Sequence, residues 1–92
     1  MAKVVVTIKI MPESPETDLR AIEKDSRKYI EKFVGETEFK IEEENIAFGL
    51  KALNITFVMD EKKGSTDALE DQLRNIDGVN SAEVTDVRRS IG

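Results

Sequence analysis

Glu42-Glu43-Glu44-Asn45-Ile46-Ala47-Phe48-Gly49-Leu50-Lys51-Ala52-Leu53-Asn54-Ile55 occupies the middle of this 92-residue chain. An acidic approach runs into an aromatic residue followed by glycine, and the chain then settles into a long apolar strand. Before it, residues 36–44 form a charged strand, with Phe39 and Ile41 facing one way and Glu38, Lys40 and Glu42 the other. That charge keeps an edge strand from pairing with strangers. After it, Leu53, Ile55, Phe57 and Met59 share one parity, the period of a strand with one buried face. Two strands therefore follow one another at the centre of the chain, joined through the turn-prone Asn45 and Gly49.

Working outward, each flank supplies a helix and then a strand. On the amino-terminal side, Leu19, Ile22, Ser26, Tyr29, Ile30 and Phe33 recur at helical spacing opposite Arg20, Glu23, Lys24, Arg27 and Lys28. The spacing predicts an amphipathic helix of about 17 to 20 residues. Ser14 or Thr17 is expected to cap it, with Glu16 and Asp18 in its first turn, and Gly35 to stop it. Ahead of it, residues 3–10 alternate Val4, Val6, Ile8 and Ile10 with Lys3, Val5, Thr7 and Lys9, a half-buried strand ended by Pro12 and Pro15. On the other side, residues 60–65 read as a charged loop ending in a capping serine. Leu69, Leu73 and Ile76 predict a shorter helix closed by Asp77-Gly78. Val79, Ala82, Val84 and Val87 carry the last strand, and Val84 and Val87 both face inward only if the strand slips by one residue.

The order is β-α-β-β-α-β. Two right-handed βαβ units sharing a sheet give the ferredoxin-like α+β sandwich, a four-stranded antiparallel sheet with both helices on one face. Ninety-two residues suit one domain, residues 1–92. No apolar run reaches membrane-spanning length and no signal-peptide pattern opens the chain, so a cytoplasmic protein without membrane contact is expected.

Composition removes whole classes of chemistry. There is no cysteine and no histidine, which excludes thiolate metal sites and thiol nucleophiles and argues against zinc, copper and imidazole-driven hydrolysis. The net charge of −5 disfavours direct nucleic-acid binding, which needs a basic surface. Asp67, Glu70 and Asp71, with Glu83 or Asp86, are candidate ligands for a hard divalent cation. They match no calcium-loop spacing, and a solvated acidic face is the plainer reading. No cofactor is required by any motif. Sheet-face RNA readers stack bases on strand aromatics, and the outer face of the first strand offers Val5, Thr7 and Lys9 instead.

Phe48 stands apart. Its parity opposes that of Leu53, Ile55, Phe57 and Met59, so it either returns to the core through a bulge near Gly49 or is exposed for use by another molecule. An exposed aromatic is an effective protein-binding anchor. Arg88-Arg89, near the carboxyl end, are either solvated or reach a carboxylate or phosphate on a partner.

Three stretches resemble the translation elongation factor 1-beta family in its archaeal single-domain form: Pro12 with Thr17-Asp18-Leu19; Ile46-Ala47-Phe48-Gly49-Leu50-Lys51-Ala52-Leu53-Asn54-Ile55; and Val79-Asn80-Ser81 with Val84-Thr85-Asp86-Val87. The resemblance implies a guanine nucleotide exchange factor for the GTPase elongation factor 1-alpha, with no bond chemistry of its own. It implies that Phe48 is the lever, that Gly49 permits its pose, and that Ala47 and Lys51 belong to the same contact. Eukaryotic members place a functional lysine at the extreme carboxyl end; this chain ends Arg88-Arg89-Ser90-Ile91-Gly92, which leaves Arg88 and Arg89 as the candidates there. A monomer is expected. The alternative is an RNA- or small-ligand-binding regulatory domain of the same fold.

Overall fold

Residues 3–90 are described by a computed structural model. The elements run β1 (Lys3–Pro12), α1 (Leu19–Val34), β2 (Phe39–Asn45), β3 (Lys51–Asp60), a 3-10 turn (Glu61–Lys63), α2 (Asp67–Arg74) and β4 (Val79–Ser90). The strands form one sheet in the order β2-β3-β1-β4, with every neighbouring pair antiparallel. This is the expected ferredoxin-like α+β arrangement.

One face of the sheet and both helices share a single core. Val6, Ile8 and Ile10 of β1 and Leu53, Ile55, Phe57 and Met59 of β3 are buried against Ile22 and Ile30 of α1 and Leu69 and Leu73 of α2. The period-two and helical stripes in the sequence mark these faces. Each such side chain contributes roughly 1.5–3 kcal/mol when removed from water. Ser26 is also fully buried on α1, and its Oγ has no hydrogen-bond partner among the described residues.

β4 follows β1 with two register shifts. Thr7 pairs with Asp86 but Ile8 with Val84, which leaves Thr85 as an extra residue; a second shift lies between Met11 and Pro12 and passes over Asn80. The first shift is the anticipated slip. It brings Val84 beside Ile8 and Val87 beside Val6 on the same face. Val84 packs on the core, whereas Val87 stays 57% exposed at the sheet edge.

Several local expectations are corrected. Asp18, and neither Ser14 nor Thr17, caps α1: its Oδ1 accepts from the backbone N–H of Arg20 (3.0 Å) and of Ala21 (3.4 Å). Ser14 and Thr17 bond to each other within the β1–α1 loop. Ile76 lies beyond the end of α2, buried, with its N–H donating to Leu73 O at 3.2 Å. The charged loop after β3 holds the 3-10 turn, capped by Asp60. Arg88 and Arg89, placed near the carboxyl end by the sequence, are strand residues. They belong to β4, paired with Val5 and Val4; Ile91 and Gly92 lie outside the described residues.

Candidate partner-docking hairpin

β2 and β3 pair from Phe39 opposite Phe57 to Asn45 opposite Lys51. The central strand β1 supports β3 only as far as Leu53, opposite Ile10; its last two residues, Met11 and Pro12, pair with β4 alone. The final hairpin rungs, Glu44–Ala52 and Asn45–Lys51, therefore project past their neighbour.

The tip closes with two backbone bonds, Ile46 N–H to Leu50 O (3.0 Å) and Leu50 N–H to Ala47 O (2.8 Å). Leu50 thus bonds to two successive residues of the opposite arm, the two-against-one arrangement of a bulge. The bulge lies on the arm before Phe48, not at Gly49. Phe48 and Gly49 are the corners of a turn and both have positive φ, 53° and 79°, the hand of the type I′ hairpin turn. Phe48 is 97% exposed, and Ile46 is also exposed beside it. The bulge does not return the ring to the core.

The acidic run leading to the tip is neutralised residue by residue. Lys40 lies 3.1 Å from Glu42, Lys51 lies 3.8 Å from Glu43, and Lys9 lies 3.7 Å from Glu44. Glu44 Oε1 also accepts from Asn54 Nδ2 at 3.0 Å. That hydrogen bond first, and then the Lys9 charge, hold the Glu44 carboxyl below the usual carboxylate range. The exposed ring consequently stands over a locally balanced surface. Ala47 is exposed within the turn, and Lys51, opposite Asn45, starts β3 at its base.

Arg88 and Arg89 lie far from this tip. Arg88 Nε bonds to Asp86 Oδ2 (2.8 Å), and Arg89 pairs with Glu61 in the 3-10 turn. The acidic candidates are likewise dispersed or engaged. Arg74 bonds to both Glu70 (3.2 Å) and Asp71 (2.6 Å) while its Nε donates to Ala82 O on β4. Asp86 is bound by Arg88, Glu83 sits opposite Lys9, and Asp67 opens α2. Among the described residues no group of three or more acidic side chains is arranged to hold a metal ion.

The outer face of the sheet presents Thr7, Lys9, Glu42, Glu44, Asn54, Thr56 and Thr85. Phe57 is buried and Phe39 packs on the core, with Arg27 stacked over its ring. That face therefore lacks the stacked aromatics of an RNA-reading sheet. The feature that sequence reasoning missed near the tip is Pro15. It reads as a strand stop, yet it lies beside Gly49, and only tertiary folding brings the two together.

A sequence model described as the EF-1 guanine nucleotide exchange domain matches residues 5–89. The chain belongs to this family. Its similarity to archaeal members extends nearly end to end. It is 51% identical over 89 residues to elongation factor 1-beta of Methanothermobacter thermautotrophicus, covering 97% of this chain and 98% of that one. It is 46% identical over 90 residues to elongation factor 1-beta of Methanobrevibacter smithii, with the same coverage. It is 36% identical over 89 residues to that of Natronomonas pharaonis, covering 97% of this chain and 99% of that one. A designed protein, Foldit4, aligns over 98% of both chains with a TM-score of 0.63 at 19% identity, a likeness of fold alone. The hairpin of this chain carries an aromatic side chain, Phe48, that the fold leaves uncovered. No helix among the described residues is long and apolar enough to cross a membrane.

Proposed function

We propose that this chain is a guanine nucleotide exchange factor that speeds GDP release from translation elongation factor 1-alpha by docking through the β2–β3 hairpin tip. The observation that carries the mechanism is Phe48, an aromatic ring left 97% exposed at a projecting turn. Membership of the exchange-domain family supports the reaction, and the uncovered ring supports the contact.

Exchange needs no bond chemistry and no resident cofactor, so the protein is not an enzyme in that sense. It acts by binding the nucleotide-free GTPase more tightly than the GDP-bound form, and linkage then weakens GDP binding by the same factor. Each tenfold weakening takes about 1.4 kcal/mol. Burying one phenylalanine supplies roughly 1.5–3 kcal/mol, so Phe48 accounts for about one to two decades. Gly49 and Ala47 shape the turn beneath it, and Lys51 stands at its base. Arg88 and Arg89 supply a second, charged contact at the other end of the sheet. The protein acts as a monomer in the cytoplasm.

The test is release of labelled GDP from elongation factor 1-alpha with substoichiometric amounts of this protein. Acceleration with turnover supports the reading. An unchanged release rate, together with a mobility shift on added RNA, favours a nucleic-acid-binding module instead.

A further inference from the structure

The two edges of the sheet are β2 and β4, and among the described residues no strand pairs with the outer side of either. An unpaired edge offers a row of backbone N–H and C=O groups to any further strand, and charge along it is a common guard. β2 has that guard. It carries Lys40 against Glu42, Glu43 and Glu44, so two copies of it repel. β4 lacks it. The charges of its Glu83, Asp86, Arg88 and Arg89 balance, and an apolar residue, Val87, stands 57% exposed among them.

The stretch of β4 beyond Thr85 is regular. Asp86 pairs with Thr7, Val87 with Val6, Arg88 with Val5 and Arg89 with Val4. Asp86 and Arg88 therefore stand on the open face of the sheet. Val87 stands on the helix face, where it lines a mostly apolar groove with Val4, Val6 and Met59. An antiparallel pairing of this stretch with its own copy keeps each residue opposite one of the same face. Centring the pair on Asp86, Arg88 or Arg89 sets that charge against itself, which is destabilising. Centring it on Val87 sets Val87 against Val87 and, on both sides of it, Asp86 of one copy against Arg88 of the other.

We propose that β4 is a self-recognition edge: two copies of this chain join antiparallel about Val87, and their two sheets become one sheet of eight strands. The order of charge selects the occupant. Asp86-Val87-Arg88 is its own complement when read antiparallel, which is what a two-fold interface requires. The bulge at Thr85 confines the new ladder to a few residues, so the interface is small and the pair dissociates readily. Pairing covers the edge that carries Arg88 and Arg89, and the single chain remains the form free to dock. Neither the hairpin tip nor Phe48 takes part.

The experiment is sedimentation equilibrium of the full chain from about 10 μM to about 1 mM, the span in which a small reversible interface becomes populated. Circular dichroism verifies each fold. The average mass of wild type is expected to climb from one chain toward two. Asp86→Arg sets arginine against Arg88 of the second copy, and Arg88→Asp sets aspartate against Asp86, so each variant alone is expected to stay single. An equimolar mixture of these two variants restores opposite charges on both sides of Val87 and is expected to pair about as wild type does. Val87→Lys, which sets two lysines face to face, is expected to stay single and decides in place of any variant that fails to fold. Phe48→Ala is expected to associate as wild type does. A wild-type mass that remains at one chain up to the highest concentration overturns the proposal. So does wild-type association by Asp86→Arg, Arg88→Asp or Val87→Lys, or failure of the mixture to pair. Loss of association in Phe48→Ala also overturns it, because the contact then lies at the hairpin tip.

Discussion

Phe48 and Arg89 stand at opposite ends of one sheet. Arg89 pairs with Val4, which faces Met59 on β3, while Phe48 lies past Lys51 at the far end of that strand. The strand from Lys51 to Met59 spans about 26 Å. A partner that engages both residues is touched along most of the molecule's 42 Å long axis, in two separate patches.

Patches this far apart share no side chains, and their energetic contributions add. Phe48→Ala combined with Arg88→Ala and Arg89→Ala is expected to slow GDP release by the product of the separate factors. The arginine component fades as salt is raised, and the phenylalanine component persists. Release kinetics at two ionic strengths check this. A combined effect no larger than that of Phe48→Ala alone contradicts a second patch at the arginines.

Ser26→Ala is expected to stabilise the fold by about 1 kcal/mol. Its Oγ is buried without a partner, a burial that costs roughly 1–3 kcal/mol, and alanine is the better helix former. Denaturant unfolding measures the change, with GDP exchange unaffected. A destabilised variant means the hydroxyl is satisfied after all.

Gly78→Ala is expected to destabilise by about 1–3 kcal/mol. Gly78 has φ of 90°, and an added Cβ meets Thr17 Cγ2 at 2.9 Å. Its carbonyl also accepts from Glu13 N–H, so the strain reaches the loop beside the hairpin tip. Thermal melting tests it, and an unchanged melting temperature shows that the turn relaxes freely.

Glu44 titrates below the usual carboxylate range because Asn54 and Lys9 favour its charged form. A carboxyl whose folded pKa lies below its unfolded value adds stability above the unfolded pKa, and that stability is lost as pH falls through the folded pKa. Asn54→Ala removes the larger cause. The Glu44 pKa then rises toward the ordinary range, and the acid limb of the stability curve becomes less steep. Carboxyl NMR titration of the two proteins reads this directly; an unmoved Glu44 shows that the hydrogen bond is not the cause.

The sheet and the helix faces are legible in the sequence because burial imposes periods that composition cannot hide. Val4, Val6, Ile8 and Ile10 announce β1, and the clash of phase between Val84 and Val87 announces a slip that the structure places at Thr85. Caps are less legible. Ser14, Thr17 and Asp18 are all competent, and only the path of the loop selects Asp18. The placement of the bulge at the hairpin tip was not readable, because two-against-one pairing depends on how the arms close and not on which residue is glycine. Nor was the left-handed backbone of Phe48, since propensity alone assigns that conformation to asparagine or glycine. The separation of Phe48 from Arg88 and Arg89 required register, which no single strand encodes. Pro15 beside Gly49 is a contact across 34 positions of chain and has no local signature.

The exposed ring of Phe48 is the centre of this account, and one measurement bears on it most directly: the rate of labelled GDP release from elongation factor 1-alpha in the presence of Phe48→Ala, with the fold verified by circular dichroism. The account predicts a release rate about tenfold to a hundredfold slower than wild type, at a melting temperature no lower than wild type. A properly folded Phe48→Ala protein that accelerates GDP release from elongation factor 1-alpha as much as wild type does would contradict it.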